Sequence, residues 1–98
     1  MICTVVEWMV KEGRVDDFER RWQELADALA PDFPNLTFRL LRDHANPRRL
    51  VAQTEGWRNV EQVAEVQSLP SYQDAVTALW RLVESGETAT LELAVEIS

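Results

Sequence analysis

The chain has 98 residues, with 46% apolar and 28% charged side chains, three glycines and four prolines. This is ordinary globular composition, and it excludes collagen-like, low-complexity and disordered chains. Seventeen acidic residues outnumber ten basic ones, and the net charge of −7 makes nucleic acid and anionic membranes poor partners. We expect one domain over residues 1–98. Because Cys3 is the only cysteine and there is no basic leader or spanning segment, we also expect a cytoplasmic location.

The N-terminal third of the chain predicts a strand followed by a helix. Residues 2–10 alternate between two faces and are rich in β-branched and aromatic side chains, which is typical of a strand. Five apolar residues then recur at three- and four-residue spacing: Val15, Phe18, Trp22, Leu25 and Leu29. This stripe predicts an amphipathic helix with one face on an apolar surface, and Pro31 ends it.

A hairpin is predicted in the middle of the chain. Residues 36–41 and 50–57 both alternate, and the segment His44-Ala45-Asn46-Pro47 between them has turn chemistry. Pairing like faces of the two strands places Arg39 opposite Gln53 and Leu41 opposite Val51.

The last third predicts a broken helix and a final strand. Asn59 and Gln62 form a capping pattern for a short helix, and Pro70 suits the first turn of a second helix. The second helix carries an apolar stripe: Tyr72, Val76, Leu79 and Val83. Gly86 is a plausible helix end, and clean alternation over residues 90–97 predicts the last strand.

This order of elements predicts an α+β ferredoxin-like split βαβ sandwich: a four-stranded antiparallel sheet with helices on one face. The helix-facing set is nearly all apolar: Ile2, Val6, Trp8, Leu36, Phe38, Leu40, Leu50, Ala52, Leu91, Leu93, Val95 and Ile97. The opposite face mixes apolar residues with Glu7, Arg39, Gln53 and Glu55. Such a face favours a homodimer through the sheet, and acid–base chemistry by these polar residues is the less favoured alternative.

The segment PNLTFRLLRDHANPRRLVAQTEGW resembles the hairpin of antibiotic biosynthesis monooxygenase domains. The residues that carry the resemblance are Arg42, Asp43, Pro47, Arg49, Glu55 and Trp57. Upstream Lys11-Glu12-Gly13 and downstream Leu69-Pro70-Ser71-Tyr72 are similar to turns of the same family. The resemblance implies a dimeric α+β barrel in which each protomer holds a ligand cavity between its sheet and its helices.

The resemblance also implies an activity. Haem-degrading members share an Asn on the first strand and a His on the second helical segment, where this chain has Val6 and Val76. Haem cleavage is therefore not implied. The resemblance instead implies a cofactor-independent monooxygenase that acts on an aromatic polyketide- or quinol-type small molecule. A non-catalytic small-molecule-binding or regulatory protein and a polyketide-cyclase-type enzyme of the same fold are the alternatives.

The candidate site residues are mainly aromatic. Trp8, Trp22, Tyr72 and Trp80 are predicted to surround a planar apolar ligand, with Thr54 as a further polar contact. Tyr72 is the candidate catalytic residue, as a hydrogen-bond donor to a developing oxyanion. The alternative is that these side chains only fill the core. We interpret the remaining tryptophan, at position 57, as a structural plug.

No motif predicts a metal centre, a nucleophile or a phosphate loop. His44, the only histidine, lies in a predicted turn with no other ligand at metal-site spacing, so we expect a solvated side chain. Cys3 has no base near it in sequence, and the three glycines are isolated. We therefore expect neither a metal ion nor a cofactor.

Overall fold

The computed structural model describes all 98 residues. Its elements are β1 (Ile2–Val10), α1 (Val15–Leu29), β2 (Thr37–Arg42), β3 (Arg49–Trp57), α2 (Val60–Gln67), α3 (Pro70–Trp80) and β4 (Val83–Glu92). All strand pairs are antiparallel, in the order β2-β3-β1-β4. The ferredoxin-like α+β fold is confirmed. We call the sheet face under the helices the covered face and the opposite one the open face.

Helix α1 follows the predicted apolar stripe. Asp16 and Asp17 lie in its first turn, where the helix dipole favours negative charge. Phe18 and Leu29 are buried in the core, and Trp22 packs against the same core from the middle of the helix. The stripe therefore holds α1 on the covered face of the sheet.

The β2–β3 hairpin has the predicted register, with Arg39 opposite Gln53. A bulge interrupts the pairing of β3 with β1 at Gly56, whose φ is +93°. A Cβ atom at this position would lie 2.0 Å from the backbone oxygen of Asn35, so only glycine fits. The extra residue returns Trp57 to the covered face, where strict alternation from Glu55 would have placed it on the open face.

Helix α2 begins with the predicted cap. The Asn59 side chain accepts a hydrogen bond from the backbone N–H of Gln62 at 2.8 Å. The Gln62 side chain reaches Arg58 rather than the capping residue itself, accepting from its backbone N–H at 2.9 Å. Pro70 occupies the first turn of α3, as predicted.

The predicted position of the last strand is wrong. Helix α3 ends at Trp80, and β4 begins at Val83, so Gly86 lies inside the strand and not at a helix end. The predicted last strand contributed four aliphatic residues to the helix-facing set. Three of them, Leu93, Val95 and Ile97, lie beyond β4 and are exposed, with Ile97 at 91%. The fourth, Leu91, is in β4 but pairs with Cys3, whose side chain belongs to the open face.

Two buried clusters fill the space between helices and sheet. The first contains Trp8, Val10, Phe18, Leu50, Ala52, Leu79 and Val83. The second contains Leu29, Phe33, Leu36, Trp57, Val63 and Val66. None of the three helices is both long enough and apolar enough to cross a membrane.

Ion pairs link the strands on the open face. Arg39 contacts Glu55 at 3.1 Å, and Arg49 contacts both Glu7 at 2.8 Å and Asp43 at 3.3 Å. The polar residues that the sequence grouped together therefore form two separate pairings. All of these side chains remain partly exposed to solvent.

Candidate active site

A cavity of about 120 Å³ lies between the covered face and the helices. All four strands and all three helices contribute to its wall, and 15 of the 20 lining residues are hydrophobic. Its walls draw on both buried clusters, through Trp8 and Leu79 from the first and Leu29 and Trp57 from the second. An engineered cavity of about 150 Å³ in another protein binds benzene, so this volume suits a single aromatic ring.

Four of the five predicted site residues line this cavity: Trp8, Trp22, Thr54 and Tyr72. They come from β1, α1, β3 and α3, so only the tertiary fold brings them together. Trp80, the fifth, is not part of the wall. It lies at the end of α3, is 41% exposed, and packs edge-on against Trp8 with ring centroids 4.8 Å apart.

Gly86 explains the position of Trp80. A Cβ atom there would lie 2.7 Å from Cη2 of Trp80 and 3.0 Å from Cε3 of Trp8, so both rings use the space above this glycine. On its other side, Trp8 meets Phe18 edge-on at 5.5 Å. The Trp8 ring is therefore held by three neighbours, which gives the cavity a rigid wall at this end.

The indole N–H of Trp8 has no hydrogen-bond acceptor. It is the one buried side-chain polar atom in the chain without a partner, on a residue that is 4% exposed. Leaving a buried donor unpaired costs about 1–3 kcal/mol, and such groups call for an explanation. Trp8 lines the cavity, but its indole N–H is itself buried and is not exposed to the cavity.

Tyr72 contributes a hydrogen-bond donor to the cavity wall. Its side chain is half-buried in the cavity wall, and its hydroxyl makes no hydrogen bond within the protein. Burial raises the pKa of the Tyr72 phenol above its ordinary value, because the charged form would lose hydration. The phenol is therefore neutral at physiological pH and acts as a donor rather than as a base.

No charged side chain lines the cavity. Besides the indole N–H groups, the polar side-chain groups in its wall are five hydroxyls and one amide. They belong to Thr4, Thr54, Gln67, Tyr72, Thr88 and Thr90. The cavity can exclude water and donate hydrogen bonds, but it offers no carboxylate or imidazole to abstract a proton.

Sequence reasoning missed Thr4, Gln67, Thr88 and Thr90. Thr4 shares its strand face with Trp8, so period-two alternation could have found it. Thr88 was missed because the last strand was placed too late in the sequence, and Thr90 was missed because the predicted register put Leu91 on the covered face instead. Gln67 ends α2 and carries no signal of its own.

Other candidate residues lie away from the cavity. His44 is exposed in the β2–β3 turn, as expected, and Cys3 is a half-buried free thiol on the open face. No group of three or more His, Cys, Asp or Glu side chains is arranged to hold a metal ion.

Residues 1–78 match the antibiotic biosynthesis monooxygenase family, and the chain belongs to that family. Proteins of this family are typically dimeric and bind small molecules. No curated protein matches the sequence.

Solved structures share the fold over nearly the whole chain. SnoaB, a cofactor-independent oxygenase from Streptomyces nogalater, is similar with a TM-score of 0.83 and 20% identity, over 98% of this chain and 95% of that one. A conserved protein from Methanosarcina mazei has a TM-score of 0.82 and 15% identity, over 92% and 89%. A NIPSNAP family protein from Agrobacterium tumefaciens has a TM-score of 0.70 and 18% identity, over 95% and 92%. At these identities the likeness extends to the fold alone.

Proposed function

We propose that the chain is a cofactor-independent monooxygenase that oxidises an aromatic small molecule of polyketide or quinol type, with residues 1–98 acting as one domain. The observation that carries the proposal is an apolar cavity with no charged group in its wall, in which the Tyr72 hydroxyl is a neutral donor without a partner in the protein. Membership of the monooxygenase family and the likeness to SnoaB support it.

The proposed reaction uses the electrons of the substrate. The substrate loses two hydrogens and gains one oxygen atom from O₂, and the other oxygen atom leaves with those hydrogens as water. The substrate anion that reduces O₂ forms through the acidity of the substrate itself, because no carboxylate or imidazole lines the cavity. The part of the protein is to exclude water and stabilise the oxyanion with preorganised donors.

Each predicted site residue has a stated role in this proposal. Tyr72 donates its phenolic hydrogen bond to the oxyanion, and Trp8 packs against the ring of the substrate from the sheet. Trp22 packs against the ring of the substrate from α1, and Thr54 contacts its polar edge. Trp80 acts indirectly, by holding Trp8 in place.

Oxygen uptake by metal-free protein tests the proposal with anthrone- and quinol-type substrates. Removing a single oxyanion donor lowers kcat by roughly 100-fold in comparable sites, and we expect a loss of this size for Tyr72→Phe. Thr77→Val is the matched control, because it removes a hydroxyl from the exposed side of the same helix.

Three outcomes of this experiment are decisive. Turnover no faster than the spontaneous reaction would contradict the monooxygenase proposal. If the protein bound these substrates without turning them over, a non-catalytic small-molecule-binding protein would be the better-supported function. This is the second candidate function, and the lack of a carboxylate or imidazole in the cavity wall favours it. Undiminished turnover in Tyr72→Phe would remove Tyr72 from the mechanism.

The proposed active form is a cytoplasmic homodimer that pairs through the open face. Leu41 and Leu91 are about half exposed there, at 49% and 51%. Leu41 lies beside the half-buried Val51, and Leu91 lies beside the half-buried Cys3. Aliphatic residues between satisfied ion pairs match the composition of protein interfaces. The free thiol of Cys3 on the same face is consistent with a reducing compartment.

A further inference from the structure

Glu87 is the one charged side chain on the open face that has no oppositely charged partner. It lies on β4 directly opposite Glu7 of β1, and Glu7 is already paired with Arg49 at 2.8 Å. The remaining charges of this face, Arg39 and Glu55, contact each other at 3.1 Å. Like charges directly opposite each other on neighbouring strands destabilise a sheet, so a single protomer gains nothing from Glu87 at this position.

The two edge strands of the sheet carry opposite charges on the open face. Alternation places three residues of β2 and four of β4 on this face: Thr37, Arg39, Leu41, Ser85, Glu87, Ala89 and Leu91. Arg39 is the only charge at the β2 edge, and Glu87 is the only charge at the β4 edge. Within one protomer they cannot meet, because β3 and β1 lie between the two edges.

Arg39 is able to hold a second carboxylate. Its side chain is 48% exposed, and its contact with Glu55 at 3.1 Å engages only one end of the guanidinium group. Arg49, the other cation of this face, already contacts two carboxylates of its own chain. Arg39 is therefore the basic group left to meet Glu87, and it can do so only from a second chain.

We propose that in the homodimer each Glu87 forms an ion pair with Arg39 of the partner subunit, and that this pair sets the orientation of the two open faces. The inference rests on the open-face dimer of the proposed function and specifies its geometry. The two-fold axis runs along the strands, so that β4 of each protomer lies over β2 of the other. Two equivalent ion pairs result, one at each edge of the interface.

Symmetry leaves two ways to pack one sheet face against a copy of itself with nearly aligned strands. An axis across the strands stacks each edge strand on its own copy, so the two acidic β4 edges face each other, as do the two basic β2 edges. An axis along the strands exchanges the edges, so each β4 faces a β2. Only the second arrangement brings opposite charges together, and repulsion between like charges disfavours the first.

The positions of the two side chains suit the second arrangement. Pairing across the sheet places Glu87 in one row with Glu7, Val51 and Leu41. Leu41 of the partner subunit therefore lies level with Glu87, and Arg39 of the partner subunit is two residues further along the same face. Two strand residues cover about 7 Å and packed sheets are about 10 Å apart, so the diagonal is roughly 12 Å. Extended glutamate and arginine side chains together span this diagonal.

Sedimentation equilibrium of the full chain tests the inference, because it gives the dissociation constant of the dimer. Glu87→Arg and Arg39→Glu each bring like charges together at both edges, so each variant should weaken the dimer at least about tenfold. The double variant exchanges the two charges and restores both ion pairs, so its dissociation constant should return to within about threefold of wild type. An axis across the strands predicts instead that neither single variant weakens the dimer, because each edge would face its own copy in every variant.

Glu87→Gln separates the contact between protomers from the stability of each protomer. Removing the charge relieves the repulsion from Glu7, so the thermal stability of the monomer should not fall, whereas the dimer should weaken about threefold. Glu65→Arg makes the same charge reversal at an exposed position of α2. It is the control for net charge and should leave the dissociation constant unchanged.

Two results would overturn the inference: single reversals that leave the dimer as tight as wild type, or a double variant no tighter than the single variants. If the wild-type protein is a dimer, either result contradicts the proposed orientation alone and leaves the homodimer in place. Monomeric wild-type protein at micromolar concentration would overturn both the homodimer and its orientation. Oxygen uptake is measured separately, so the catalytic proposal stands or falls independently of these outcomes.

Discussion

The covered and open faces of the sheet are built from alternate residues of the same four strands, yet their chemistry differs. On the covered face the polar groups that line the cavity are neutral, mainly the hydroxyls of Thr4, Thr54 and Thr90. On the open face charges pair across neighbouring strands, as in the contact of Arg49 with Glu7. One strand, β3, supplies both kinds of surface within a few residues.

The difference follows from hydration. A charge placed beneath the helices would lose its water without a partner, at a cost far greater than that of a hydroxyl. The paired charges of the open face keep part of their hydration, because Arg49 and Glu7 are 37% and 48% exposed. The covered face is therefore suited to a small neutral ligand, and the open face to another protein surface.

The largest expected effect comes from matched truncations on the two faces. Leu50 on the covered face is 1% exposed, and Leu50→Ala should lower the free energy of unfolding by about 3 kcal/mol. Leu41→Ala on the open face should cost less than about 1 kcal/mol in the monomer. Urea unfolding at low protein concentration measures both, and equal losses would contradict the contrast between the faces.

A charge on the open face should separate the protomers. Val51 pairs with Leu41 on one side and Glu7 on the other, at the centre of the proposed interface. Val51→Arg should weaken dimerisation by roughly 100-fold while the monomer keeps its fold, because the new charge has Glu7 beside it. Light scattering over a range of concentrations gives the mass.

The control for this variant is Val60→Arg, at an exposed position on α2. It should leave the dimer intact. A monomeric wild-type protein at micromolar concentration, or a fully dimeric Val51→Arg, would count against the proposed interface.

Raising the pH above about 10 should lower the free energy of unfolding through Tyr72 on the covered side of the sheet. Burial raises the pKa of Tyr72, the only tyrosine, above its ordinary value near 10. As pH rises past about 10, the unfolded phenol ionises before the folded one, so the free energy of unfolding falls. The slope is at most about 1.4 kcal/mol per pH unit and smaller here, because the side chain is partly solvated. Urea unfolding measures this dependence, and above about pH 10 the free energy of unfolding should fall less steeply in Tyr72→Phe than in wild type. An identical fall in both proteins would show that the phenol is not desolvated.

The smallest expected effect is a loss of stability in acid through Asp43, in the turn between β2 and β3. Backbone N–H groups of Ala45 and Asn46, together with Arg49, lower the pKa of Asp43 below its ordinary value. Its ionised form therefore stabilises the fold above about pH 4, and that stabilisation is lost as pH falls through the lowered pKa. Thermal unfolding should find Asp43→Asn less stable than wild type at pH 7, with the difference closing in acid. A constant difference at all pH values would exclude a role for the charge.

The register of the β2–β3 hairpin was predictable, and its strand bounds were predicted to within one residue. Turn chemistry marks its centre, and a one-residue slip would have moved Phe38 and Leu40 to the open face, so the turn and the alternation together favoured this register. Helix α1 was equally clear, since its stripe has a single face.

The last strand was mispredicted because of the cavity. Its covered face carries Gly86, Thr88 and Thr90, where an apolar pattern was expected. Gly86 makes room for two tryptophan rings, and the threonines line the candidate site. Glycine and threonine on the covered face broke the apolar pattern that marks a core strand, while Val95 and Ile97 carried that pattern outside the sheet.

The sequence by itself determined the fold class, the hairpin register and the aromatic composition of the candidate site, because these depend on local periodicity and turn chemistry. Only the tertiary structure decided which aromatic residues meet. Trp8 of β1 and Trp22 of α1 line the same cavity, whereas Trp80, at the end of α3, packs on Trp8 outside the cavity wall. The meeting of Thr4, Thr54 and Thr90 in the cavity wall was likewise decided by the pairing of β1 with β3 and β4, since register between distant strands is a property of contacts that no local pattern contains.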